Sequence, residues 1–254
     1  MDRRQALRAS IVAAAGLVAA GCESPNRTTS AAEPARSGVS ATAGNPAQPS
    51  PAVALPPEIT RGPANRPAVA LTFHGQGDPA IVTQLLAELA AGGARVTVLA
   101  VGTWLSAQPA LAGRILDGGH ELGNHTQHHG AIAQMDTRRT FAEIDGCAQV
   151  LRRLTGSIGT WFRPSQIQHA TALIRAQARR VGYPVCLSYD VDSRDYTDPP
   201  ATAVVHNTLS AVTSGSIVSM HFGHAVTISA IGPILDGLRA RGLHTATMTE
   251  LVAP

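Results

Sequence analysis

From Ala68 to the end of the chain, short apolar runs alternate with longer amphipathic stretches, and most segments close on a turn signal. Residues 68–73 (Ala-Val-Ala-Leu-Thr-Phe) are continuously apolar apart from Thr72, the pattern of a short buried strand. Asp78-Pro79 then supplies a helix cap followed by proline at the first helical position, and the predicted helix runs to about Ala91, where Gly92-Gly93 stops it. The same order repeats down the chain. Strands are predicted at 95–101, 120–123, 160–163, 185–190, 216–221 and 243–245. Helices are predicted at 109–117, from the cap Asp136 to about 154, and at 171–181, 202–212 and 227–241. About seven strands alternating with helices predict an α/β fold, a barrel of parallel strands rather than a sandwich.

The chain before Ala68 reads differently. Arg3, Arg4 and Arg8 face only Asp2, and residues 11–20 form an apolar core that is too short to span a bilayer and right for an export signal. The core ends in Ala19-Ala20-Gly21-Cys22, similar to a bacterial lipobox in which the cysteine takes the lipid. Residues 1–22 are therefore expected to be a signal peptide that anchors the protein through Cys22 to the outer face of a bacterial membrane. An ordinary secretory signal with an incidental cysteine is the other reading. Residues 23–66 are rich in Pro, Ala, Ser and Thr without apolar period, and are expected to be a disordered tether, with the folded domain at 67–254.

Charge narrows the functional classes. The net charge is +3, much of it in the first eight residues, so the case for nucleic acid is weak. Every basic side chain is arginine, which excludes lysine Schiff-base chemistry and a phosphate-loop lysine. Cys147 and Cys186 could pair in an exported protein, but isolated cysteines are more often small buried hydrophobes.

The polar residues of interest stand where predicted strands end: His74, His125, Arg163, Asp192 and Asp195, and His221. In barrels of this type the ends of the strands form the functional mouth. His125 and His129 are four apart, a spacing that brings two imidazoles to one ion if the segment makes a helical turn. Trp104 and Trp161 could flank a sugar groove, but core packing is expected; Met220 could line an apolar pocket or belong to the core. The remaining histidines, including His224, are read as surface or core residues.

Gly119-His120-Glu121-Leu122-Gly123-Asn124-His125-Thr126-Gln127-His128-His129 resembles the second motif of the polysaccharide deacetylases, the NodB-type carbohydrate esterases. Phe162-Arg163-Pro164, Val191 to Tyr196, and Ile217-Val218-Ser219-Met220-His221 resemble the third, fourth and fifth motifs, in the family's order. The resemblance implies a distorted (β/α) barrel, a divalent metal (zinc expected), and hydrolysis of N-acetyl groups on an extracellular polysaccharide by a monomeric enzyme. It implies His221 as the acid that protonates the leaving amine, and Asp195 as the partner of Arg163. An O-acetyl esterase, or a carbohydrate-binding protein retired from catalysis, is the alternative.

The first motif departs from the family. Thr-Phe-Asp-Asp-Gly becomes Thr72-Phe73-His74-Gly75-Gln76, so His74 stands where the family has its base and Gly75 where it has a metal-binding Asp. Two arrangements follow. His74, His125 and His129 could bind the metal together, three neutral ligands that leave the ion's charge undiminished. Alternatively His74 is the base, and two histidines hold the metal with help from Gln76 or Asp78. The first is favoured, and Asp78 is expected to be a helix cap.

Overall fold

The computed structural model describes residues 55–254. The signal segment, Cys22 and the tether up to residue 54 lie outside the described residues. Strand pairing begins earlier than the boundary at 67: β1 (Glu58–Ile59) pairs in parallel with β5 (Cys186–Leu187), and Arg61 bridges to Ser216. The Pro-rich composition hid this short edge, which needs only two residues and the buried side chain of Ile59.

The centre of the fold is β2 (Ala68–Gly75). It pairs in parallel with β3 (Thr97–Ala100) on one side and β7 (Ile217–His221) on the other. Beyond β3 lies β4 (Glu121–Asn124), and beyond β7 lies β6 (Val191–Asp192); β8 (His244–Thr245) joins the foot of β2. Phe162 bridges β4 to β5, so the predicted strand at 160–163 is reduced to a single residue. The predicted strand at 185–190 is two short strands, β5 and β6, separated by a bend. The first continues the wall next to Phe162 and the second pairs with β7. The result is a distorted (β/α) barrel.

Eight α-helices lie among the described residues: α1 (Pro79–Ala91), α2 (Gly102–Ala107), α3 (Pro109–Asp117), α4 (Thr137–Thr155), α5 (Ala172–Val181), α6 (Ala201–Ala211), α7 (Ala225–Ala240) and α8 (Met248–Val252). The capping residues read from the sequence do cap: Asp78 accepts from Ala80 N and Asp136 from Arg139 N. Thr171, expected inside its helix, is the cap instead and accepts from Ile174 N. The helices α2 and α8 were not expected. The second carries a reciprocal capping box, Thr247 with Glu250, that the sequence displays.

Side-chain alternation explains where the polar groups go. On β2, Val69, Leu71 and Phe73 point outward to the helices, into a cluster with Val82, Leu85 and Ile231. Ala68 and Ala70 face inward with Leu99, Trp161 and Ile217. Continuing that inward row brings Thr72 and then His74 up the barrel axis. On β7 the inward row is Ile217, Ser219, His221, while Val218 and Met220 face the helices. The barrel interior is thus apolar at its foot and polar at its mouth. Trp104 and Trp161 are core residues, as expected, each with its indole N–H satisfied, on Gly77 O and Thr249 Oγ1. Met220 is fully buried and belongs to the core of the outer layer.

Candidate active site

At the mouth, His74, His125 and His129 converge, each offering a ring nitrogen within 4.8 Å of the others. His74 and His125 lie edge to face with ring centroids 4.4 Å apart, and His125 and His129 are 4.8 Å apart. His125 is fully buried. Its Nδ1 stands 2.9 Å from the Arg163 carbonyl, whereas its Nε2 is buried without any hydrogen-bond partner. A buried polar atom without a partner is costly, and a divalent ion held by all three rings would satisfy it. The residues present therefore fit a metal.

The segment 125–129 is not a helical turn. It is a loop in which Thr126 (φ 70°) and His129 (φ 57°) take left-handed conformations. Asn124 Oδ1 accepts from Thr126 N, Asn124 Nδ2 donates to Ile144 O, and Thr126 Oγ1 accepts from His129 N. Side-chain hydrogen bonds therefore override the helical spacing, and the two rings still meet.

Burial dominates the electrostatics. It pushes His74 and His125 well below the usual histidine range. For His74 the neighbouring His125, His221 and Arg163 add to the effect, and for His125 the neighbouring His129 does. His129 is lowered by burial and then by His221. All three are held neutral, the form that binds metal.

His221 faces His74 directly across the β2–β7 ladder, with ring centroids 4.3 Å apart. Its Nδ1 lies 2.7 Å from Oδ1 of Asp195, which is fully buried. Asp195 Oδ2 accepts from His221 N at 2.8 Å and from Thr227 Oγ1 at 2.7 Å. This corrects the expected Arg163–Asp195 pair: Asp195 belongs to His221. Arg163 is buried and forms no ion pair among the described residues. It donates to Thr72 Oγ1 and the carbonyls of Ser188 and Leu187, lies 5.3 Å over the Tyr189 ring, and leaves Nη1 without a partner. Burial draws its pKa down to about 9, against the opposing influence of Tyr189. The Arg163 side chain runs across the barrel towards Thr72, whereas Asp195 sits under the start of α7 with Thr227. The order of motifs along the chain could not separate these positions.

The family model for polysaccharide deacetylases matches residues 61–186. The peptidoglycan-N-acetylglucosamine deacetylase PgdA of Listeria monocytogenes is 26% identical over 195 residues, 77% of this chain and 41% of its own length. This chain thus spans about two fifths of that relative. The peptidoglycan-N-acetylglucosamine deacetylase of Bacillus cereus is 29% identical over 195 residues, 75% of this chain and 90% of its own. The chain belongs to the polysaccharide deacetylase family. Among solved structures, BA3943 of Bacillus anthracis, described as a pseudoenzyme of carbohydrate esterase family 4, superposes with TM-score 0.73 at 22% identity. The match covers 78% of this chain and 69% of that one, and bears on the fold alone.

Within this family the departure at the first motif has a structural counterpart. A Cβ built on Gly75 would lie 2.9 Å from Val98 Cγ1 and 3.0 Å from Ala100 Cα, so position 75 points into the β3 strand. Asp78 is exposed and occupied as a cap, leaving His74 as the member of this segment that reaches the cluster. Asp192 accepts from Arg194 N in a turn and lines the edge of the site.

Two cavities meet at the imidazoles. One, of about 430 Å³, runs past Gln166, Gln168, Tyr189 and Ser219; the other, of about 470 Å³, past Gln76, Gly77, Gly223 and His224. Tyr196, 47% exposed, lines both and sits edge-on to His221 at 5.2 Å. Sequence reasoning missed Tyr196 and Ser219, and placed His224 away from the site. His224 pairs with Asp198 at 2.9 Å on the rim. For Ser219 the signal was present: it is two residues before His221 in one strand, hence on the same face.

Proposed function

We propose that the protein is a metal-dependent hydrolase that removes N-acetyl groups from an extracellular polysaccharide, cell-wall glycan or chitin-like. The carrying observation is the unpartnered Nε2 of buried His125 inside the three-imidazole cluster. His74, His125 and His129 would hold a zinc-like ion, which supplies Lewis-acid polarisation of the acetyl carbonyl. The chain's own proton chemistry then falls to His221. Asp195 fixes its Nδ1–H and leaves Nε2 as the nitrogen free to take up a proton and to pass one to the departing amine. His74 acts as ligand rather than base, because burial, and after it the neighbouring imidazoles and Arg163, oppose its protonation. The names of the relatives support an N-acetylglucosamine substrate. The lipobox-like Cys22 and the residues that follow it support a catalyst anchored outside the membrane and working on the wall beyond it.

A second reading, a carbohydrate-binding protein without activity, is favoured by Gly75, which brings no carboxylate to the site. Metal analysis and acetate release separate the two. The expected result is about one zinc-like ion per chain, lost in His74→Ala and in His125→Ala, with acetate released from N-acetylglucosamine oligomers. A protein that stays metal-free in excess zinc sinks the hydrolase reading. Metal uptake without acetate release from any amide or ester substrate leaves the binding protein.

A further inference from the structure

We infer that Ser219 is the positioning residue that makes a histidine at position 74 serviceable as a metal ligand, by fixing its ring so that Nδ1 faces the ion. The inference rests on the three-imidazole reading above. Ser219 Oγ lies 3.1 Å from His74 Nε2. The register explains the contact: His74 stands opposite His221 and Thr72 opposite Ser219, so Ser219 is the diagonal neighbour of His74 on the inward face of β7. Ser219 is buried but reaches the cavity wall, and its neighbours Val218 and Met220 face away into the outer core.

A neutral imidazole has one N–H and one lone pair for a ligand. If Nε2 carries the proton and donates it to Ser219 Oγ, the lone pair is on Nδ1. His125 is arranged in the opposite sense: its Nδ1 donates to the Arg163 carbonyl and its Nε2 is free. With that tautomer each ring would be held by a partner on one nitrogen and would leave the other for an ion, the arrangement that sets tautomer and orientation in metal-binding histidines. The two supports come from different walls of the barrel, β7 for His74 and the Phe162-Arg163 segment for His125. His129 has no hydrogen bond to either ring nitrogen among the described residues, so the site is two fixed rings and one adjustable one. Without a hydroxyl at 219, His74 would have no partner to hold its Nε2.

The test uses the full chain. Zinc affinity is measured by competition with a chromophoric chelator, the cobalt(II) absorption spectrum is recorded, and the His74 tautomer in the metal-free protein is read from long-range ¹H–¹⁵N NMR. Expected are an Nε2–H tautomer for His74, a loss of about 10–100-fold in zinc affinity for Ser219→Ala with an altered cobalt spectrum, and recovery in Ser219→Thr, which keeps the hydroxyl. An Nδ1–H tautomer overturns the inference, as does a folded Ser219→Ala that binds zinc as tightly as wild type. In the latter case the three-imidazole site itself survives. Wild type that binds no metal at all removes both.

Discussion

Restoring the family's residue at position 75 is the most direct test of how this mouth is built. In Gly75→Asp the new Cβ would sit 2.9 Å from Val98 Cγ1, 3.0 Å from Ala100 Cα and 3.2 Å from the Leu99 carbonyl oxygen. Val98 is fully buried, and the other two atoms are backbone of the paired strand, so neither side can yield without parting β2 from β3. Overpacking of this kind costs about 1–3 kcal/mol. A carboxylate driven between the strands without a partner adds about the same again. For a domain of this size each kcal/mol lowers Tm by about 2–4 °C, so a fall on the order of 4–24 °C is expected in calorimetry. Gly75→Ala, which adds the Cβ alone, should show about half of it. Zinc affinity should not improve in either variant. Gly75→Asp with an unchanged Tm and tighter zinc binding would refute the reasoning, because position 75 would then face the ion.

Three further outcomes follow from the same geometry. Asp195→Asn should fold less stably by about 1–3 kcal/mol, since the amide oxygen can keep the bonds from His221 N and Thr227 Oγ1 but the amide nitrogen cannot accept from His221 Nδ1, and acetate release should drop by about 10²–10⁴-fold; wild-type turnover would remove His221 from the chemistry. The metal-free protein should lose stability as pH falls below the ordinary histidine value of 6.5. Burial lowers His74 and His125, so in that window the unfolded chain binds more protons than the folded one. Each ring contributes a slope of up to about 1.4 kcal/mol per pH unit until its folded pKa is passed, and urea melts at pH 7 and pH 5.5 that coincide would contradict this. Cys147 and Cys186 are unpaired and buried, with burial raising both thiols to about 12, so Ellman's reagent should react with neither in the native protein and with both in denaturant.

The barrel was legible in the sequence because its signals are local. Caps such as Asp78 and Asp136, glycine stops, and apolar runs of strand length each report on their own few residues. The site was legible to the extent that it is linear: His125 and His129 were found by spacing and His74 by its place at a strand end. What escaped depends on contacts between distant segments. The partner of Asp195 is decided by where α7 begins, through Thr227, and the direction of Arg163 by the Thr72 hydroxyl across the barrel. The edge strand at Glu58 was lost for the same reason, since its evidence lies in the chain's approach to Cys186. Alternation within β7 would have separated Ser219 from Met220, had it been read outward from His221.

The isolation of Arg163 bears on what a hydrolase built on this site would release. Its buried guanidinium has no carboxylate partner among the described residues, and the three rings of the cluster contribute no negative charge. With a dication in place, the mouth would be an electropositive well: Asp195 is already committed to His221, and Asp192 stands at its edge accepting from Arg194 N. Such a well would draw in small carboxylates, so under the proposed hydrolysis acetate would be slow to depart, and turnover would be throttled by its own product.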